Sequence, residues 1–88
     1  MKEKFSHIVR NDSLEPLRLY LEPWGEEYTI QPGAELTFSV SGNPSPPCLE
    51  TEFTSDHISL YGPTGSVVQA YHGSNPVESG YKAFPIPK

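Results

Sequence analysis

The chain has one cysteine, Cys48, so it forms no internal disulfide. A secreted domain of 88 residues would often carry several. Basic side chains are missing from the whole middle of the sequence. The six Lys and Arg are Lys2, Lys4, Arg10, Arg18, Lys82 and Lys88, and between Leu19 and Tyr81 there are none. Recognition of a phosphate backbone needs clustered Lys and Arg, so nucleic acid is not an expected partner. An anionic membrane surface is disfavoured for the same reason. No apolar run approaches the ~20 residues that span a bilayer. The opening MKEKFSHIVRNDS lacks the apolar core of a secretion signal, and the expectation is a cytoplasmic protein. Without a secretion signal, the sequon Asn11-Asp12-Ser13 carries no glycosylation meaning.

Proline and glycine, by contrast, are abundant, at ten and seven residues. Proline lacks an N–H and clashes with the preceding helical turn, so this density excludes long helices. Short strands joined by frequent turns remain. The net charge is −5, and Glu22, Glu26, Glu27, Glu35, Glu50, Glu52, Asp56 and Glu78 all fall in the lysine-free middle. That stretch must present a negative surface. Its simplest use is solubility.

Strand alternation is clearest from Leu17 to Val40. Leu17, Leu19 and Leu21 alternate with Arg18, Tyr20 and Glu22, which puts three leucines on one face. Glu22-Pro23-Trp24-Gly25 reads as a type I turn, with proline at its second position. Glu26 to Ile30 returns as a short strand. Gln31-Pro32-Gly33-Ala34 carries the type II pattern, whose third position needs a positive φ and so favours glycine. Leu36, Phe38 and Val40 then alternate with Thr37, Ser39 and Ser41.

Around this meander the remaining elements are shorter. Phe5 to Arg10 reads as a first strand, with either Phe5/His7/Val9 or Ser6/Ile8/Arg10 inward. Asn11-Asp12-Ser13 makes a turn through its own side chains. Ser41 to Pro47 holds Pro44, Pro46 and Pro47, and reads as a loop crossing between sheets. Cys48 to Thr54 places Leu49, Thr51 and Phe53 on one side and the solvated Glu50 and Glu52 on the other. His57 to Tyr61 follows with Ile58 and Leu60 inward. Gly62-Pro63-Thr64-Gly65 reads as a type I turn into a hairpin partner, Ser66 to His72, with either Val68/Ala70 or Val67/Tyr71 inward. Gly73 to Gly80 is turn-rich. Tyr81 to Phe84 adds an edge segment capped by Pro85-Ile86-Pro87. About seven short strands at such spacing predict one all-β domain over residues 1–88, a small antiparallel β-sandwich.

The chemistry-bearing residues form few patterns. A copper site needs two His, a Cys and a weak axial Met, and the only methionine is Met1. Zinc would find one Cys and three His, but no paired spacing. No metal site or cofactor is therefore expected. Glu26 and Glu27 are adjacent on a strand and point to opposite faces, so they cannot jointly address one substrate. Asp12 and Asp56 are too few for a calcium cage. A nucleophilic Cys48 would need a base, for which His57 or His72 would serve. This small metal protein or enzyme is the alternative reading.

Trp24 carries the most suggestive signal. It sits in a turn between Tyr20 and Tyr28, among carboxylates. An exposed aromatic at such a place is a typical anchor for recognition, and the acidic neighbours favour a basic protein or cationic ligand through their field and cation–π contact. The other reading has Trp24 folded back over the sheet edge as a plug. The sequence-based expectation is a binding or assembly module, not an enzyme, with its surface formed by Trp24, Glu22, Glu26 and Tyr28. A structural appendage of a larger assembly is a third reading.

From Leu19 to Gly33, LYLEPWGEEYTIQPG resembles a group of short, uncharacterised bacterial proteins that share E-P-W-G-E-x-Y followed by P-G. The matching residues are Glu22, Pro23, Trp24, Gly25, Glu26, Tyr28, Pro32 and Gly33. This resemblance implies no activity and no residue role. The layout, with a P-G turn before an alternating strand, is also similar to immunoglobulin-type and cupredoxin-type sandwiches, a likeness of architecture alone.

Overall fold

The computed structural model describes residues 3–87, with side chains from Phe5 onward. Met1, Lys2 and Lys88, part of the basic ends noted above, lie outside the described residues. The described residues form nine strands: β1 (Glu3–Arg10), β2 (Leu17–Glu22), β3 (Glu26–Ile30), β4 (Glu35–Ser45), β5 (Glu50–Phe53), β6 (His57–Tyr61), β7 (Thr64–His72), β8 (Asn75–Val77) and β9 (Lys82–Ala83). Among them there is no helix long and apolar enough to cross a membrane.

The strands form two sheets, β1-β4-β7-β8 and β5-β6-β2-β3-β9. Their facing sides share one core, built from Leu19, Leu21, Tyr28, Ile30, Ile58, Leu60 and Ala83 of the second sheet with Leu36, Phe38, Ala70 and Val77 of the first. The smallest dimension of the molecule is 19 Å, as expected of two layers packed about 10 Å apart. Tyr28 and Phe38 join the layers edge to face, with ring centroids 5.8 Å apart.

The all-β sandwich agrees with the sequence, and several details depart from it. Nine short strands replace about seven. The pairing is mixed, because β2 runs parallel to β6 and β3 parallel to β9. The Ser41–Pro47 stretch is not wholly a loop. β4 continues to Ser45, with a register shift between Gly42 and Ser45 that lets it keep pairing with β7. β7 is not the hairpin partner of β6; it pairs with β4 and β8 in the other sheet. Two ambiguous strands are resolved. Phe5, His7 and Val9 lie opposite the buried Val40, Phe38 and Leu36, and Val68 and Ala70 face the core while Val67 is exposed.

The turns behave unevenly. Gly33 has φ +83°, and the Ala34 N–H donates to the Gln31 carbonyl at 2.9 Å, as the type II pattern demands. The turn after β6 is shifted by one residue, with the Ser66 N–H donating to the Pro63 carbonyl and Gly65 at positive φ. In the Pro23 turn the Gly25 N–H donates to the Glu22 carboxylate.

Candidate functional site

β2 ends at Glu22, and the chain reverses through Pro23, Trp24 and Gly25. The Glu22 carboxylate accepts the Gly25 N–H at 3.1 Å. The Glu22 carbonyl, which a type I turn would use to close on itself, accepts instead from the Gly62 N–H at 2.7 Å. This bond couples the turn to the end of β6. The Trp24 indole then lies across Gly62, where a β-carbon would come within 2.5 Å of the ring. Position 62 holds a glycine because only a bare α-carbon lets the indole approach this closely. Trp24 is 44% exposed. The distal edge of the ring, Cη2 and Cζ3, packs on Gly62, and the side chain as a whole is half-exposed.

The parallel pairing of β2 with β6 builds the surface beside this turn. Glu22 lies next to Tyr61, Tyr20 next to Ser59, and Arg18 next to His57. On the far side of β6, Glu50 lies next to Tyr61 and Glu52 next to Ser59. Leu19, Leu21, Ile58 and Leu60 point into the core, so alternation turns this whole set outward. The outer face is polarised along its length. One end holds Arg18, paired with Glu27 at 3.7 Å, and His57, paired with Asp56 at 2.8 Å. The other holds Glu22, Glu50, Glu52, Tyr61 and the Trp24 turn. Tyr61 donates its hydroxyl to Glu52 at 2.9 Å. The adjacent Glu52 carboxylate raises the Tyr61 pKa, with Glu22 adding to it. No described Lys or Arg pairs with Glu22, Glu50 or Glu52.

The four residues expected to form one surface are divided between two. Glu22 stands at the acidic end of the outer face, while the Trp24 ring lies at the end of the sandwich, on the side of Gly62 that also meets Ser66 Oγ of β7 in the opposing sheet. Tyr28 is a correction: it is 2% exposed and belongs to the core, because it alternates in phase with Ile30. Its hydroxyl reaches the rim and donates to Glu26 at 2.9 Å. Burial first, then Glu26 and Glu78, push the Tyr28 pKa upward. Glu26 and Tyr28 therefore line a different feature, a cleft of about 380 Å³ between the sheets, together with Val68, Val77, Glu78 and Ser79.

Cys48 is exposed. His57 Nδ1 lies 3.0 Å from Thr54 Oγ1 as well as near Asp56. His72 lies between the Tyr81 hydroxyl at 2.7 Å and the Phe84 carbonyl at 2.8 Å. Among the described residues, no three His, Cys, Asp or Glu side chains come together as a metal-binding group.

Sequence reasoning missed Tyr61, Glu50, Glu52 and Gly62 as neighbours of the Trp24 turn. The alternation of Glu50 and Glu52 with Thr51 and Phe53 was readable. Their placement beside Glu22 depends on a parallel pairing between segments far apart in sequence. Compared with known proteins, the chain matches no family model, no curated sequence and no solved structure.

Proposed function

We propose that this chain is a small binding or assembly module that recognises a cationic partner, a basic protein segment or a basic ligand, through the acidic end of its outer face. Trp24 is the anchor. Glu22 flanks it in the turn, and Tyr61, Glu50 and Glu52 follow on the adjoining strands. One observation carries this reading: a half-exposed indole seated on Gly62 in the same turn as the Glu22 carboxylate, at the end of a strand face whose Glu22, Glu50 and Glu52 no described basic side chain neutralises. A cation held over an indole face gains about 0.5–1 kcal/mol at an exposed site, and the surrounding field raises the encounter rate with positively charged partners. The exposed, unpaired Cys48 is in keeping with a reducing, cytoplasmic setting.

Titration with hexalysine, followed by Trp24 emission, tests the proposal. The wild-type emission should shift or quench at low salt and recover as salt screens the charges. Substituting Glu22→Gln together with Glu52→Gln should remove most of the response. A wild-type protein whose emission ignores hexalysine, with no binding by calorimetry, would overturn the reading.

A further inference from the structure

β5 is the outermost strand of its sheet, and among the described residues no strand pairs with its free side. Its backbone is oriented for one. The Thr54 N–H donates to the His57 carbonyl at 3.0 Å, so Thr54 and His57 form a hydrogen-bonded pair. Antiparallel pairs alternate between bonded and non-bonded. Hence Glu52 with Ser59 and Glu50 with Tyr61 are bonded pairs. Thr51 and Phe53, opposite Leu60 and Ile58, turn their N–H and carbonyl groups outward to the free edge.

The side chains of this strand are sorted by face. Thr51 and Phe53 share the inner face with the buried Leu60 and Ile58, yet the opposing sheet does not cover them, and Phe53 is 77% exposed. Phe53 borders a hollow with Leu17 and Ile58 on one side and Arg10, Asn11, Asp12 and Ser13 on the other. On the outer face, Glu50 and Glu52 adjoin Tyr61, and the hollow they form with Thr51 and Phe53 measures about 510 Å³. A strand added to this edge would set alternate side chains against Phe53 and Thr51 on one face and against Glu50 and Glu52 on the other. Opposite charges directly across a ladder attract and like charges repel. A second copy pairing β5 with β5 would oppose Glu with Glu, which disfavours that occupant.

We propose that the free edge of β5 binds an extended peptide in which apolar residues alternate with Lys or Arg, adding as a further strand of the sheet. This rests on the reading of the acidic end as a surface for cationic partners, and it names that partner's conformation and pattern.

The test uses the full chain and a Val-Lys octapeptide, VKVKVKVK. Its controls are the same peptide N-methylated on alternate residues, so that one edge cannot donate, and hexalysine. Backbone hydrogen exchange is followed by NMR. The expected result is protection of the Thr51 and Phe53 amides by the octapeptide alone. Affinity should fall about tenfold or more with the methylated peptide, or when Glu50→Lys and Glu52→Lys are combined. Thr51→Pro should abolish octapeptide binding while Trp24 still responds to hexalysine. Equal binding of plain and methylated octapeptides, or protection elsewhere, would overturn the edge proposal and leave the broader reading standing. No response to either hexalysine or octapeptide would overturn both. Concentration-dependent protection of Thr51 and Phe53 without peptide would assign the edge to a second copy and overturn the proposal.

Discussion

The side-chain amide of Asn11 donates to the Ile30 carbonyl at 2.8 Å and so ties the end of β1, in one sheet, to the end of β3, in the other. The same amide donates to the Glu15 carbonyl at 2.7 Å, and its oxygen accepts the Ser13 N–H and hydroxyl. The Asn11 backbone bonds to Ala34 and Gly33 at the type II turn. Asn11 is buried, so Asn11→Ala strips a buried carbonyl of its donor and frees the Ser13 turn. The expected loss is about 2–4 kcal/mol of unfolding free energy, measured by urea denaturation. Asn11→Asp should be no better, because it turns a carboxylate oxygen toward two carbonyls.

Gly62→Ala tests the seat of the indole. The new methyl would overlap the Trp24 ring, and the ring must lift. Trp24 is the sole tryptophan, so its emission should move to longer wavelength. Stability should drop by about 1–3 kcal/mol, in the range for overpacked contacts. An unchanged spectrum would place the indole elsewhere.

Tyr28 predicts an alkaline limit. Its pKa in the folded state is raised above the ordinary 10.0 by burial and by Glu26. The neutral phenol is favoured by folding, so its contribution is complete below pH 10 and lost as pH rises toward the folded-state value. The midpoint of urea unfolding should fall above pH 10. Tyr28→Phe should remove that part of the dependence, at a cost of about 1–2 kcal/mol at neutral pH from the lost hydrogen bond to Glu26.

Asp56 acts at the other end of the pH scale. Hydrogen bonds from His57 and Thr54 lower its pKa from 3.8. The ionised carboxylate is favoured by folding, so the ordering of the Thr54–His57 turn is complete above pH 3.8 and lost as pH falls through the lower, folded-state value. Amide exchange at His57 should accelerate there. Asp56→Asn should abolish the step.

The meander from Leu17 to Val40 was legible because its signals are local. Three leucines at a period of two, proline–glycine turns and a second alternating run each act within a few residues. Gly33 took the positive φ that its turn pattern requires. The Pro23 turn was located correctly, but its link to the end of β6 was not legible, because the Glu22 carbonyl bonds to Gly62, forty positions along the sequence. Tyr28 was misassigned for a related reason: proximity to Trp24 in sequence suggested a shared surface, while strand alternation sends it to the core. Thr51 and Phe53 were assigned the correct side of β5. Their exposure could not be read, since it depends on how far the opposing sheet extends. The surface around Trp24 was therefore half legible, Glu22 through sequence proximity and Tyr61, Glu50 and Glu52 only through the β2–β6 and β5–β6 registers.

The order in which strands enter the two sheets limits how this chain can be divided. It passes from one sheet to the other between β1 and β2, β3 and β4, β4 and β5, β6 and β7, and β8 and β9. The shortest contiguous stretches that contain a whole sheet are β1–β8 and β2–β9. A cut anywhere from β2 to β8 leaves two fragments that each lack strands from both layers, so neither can close a core alone. Complementation by split halves should therefore need both pieces together, and a fusion partner is best attached at a terminus, not inserted into a loop.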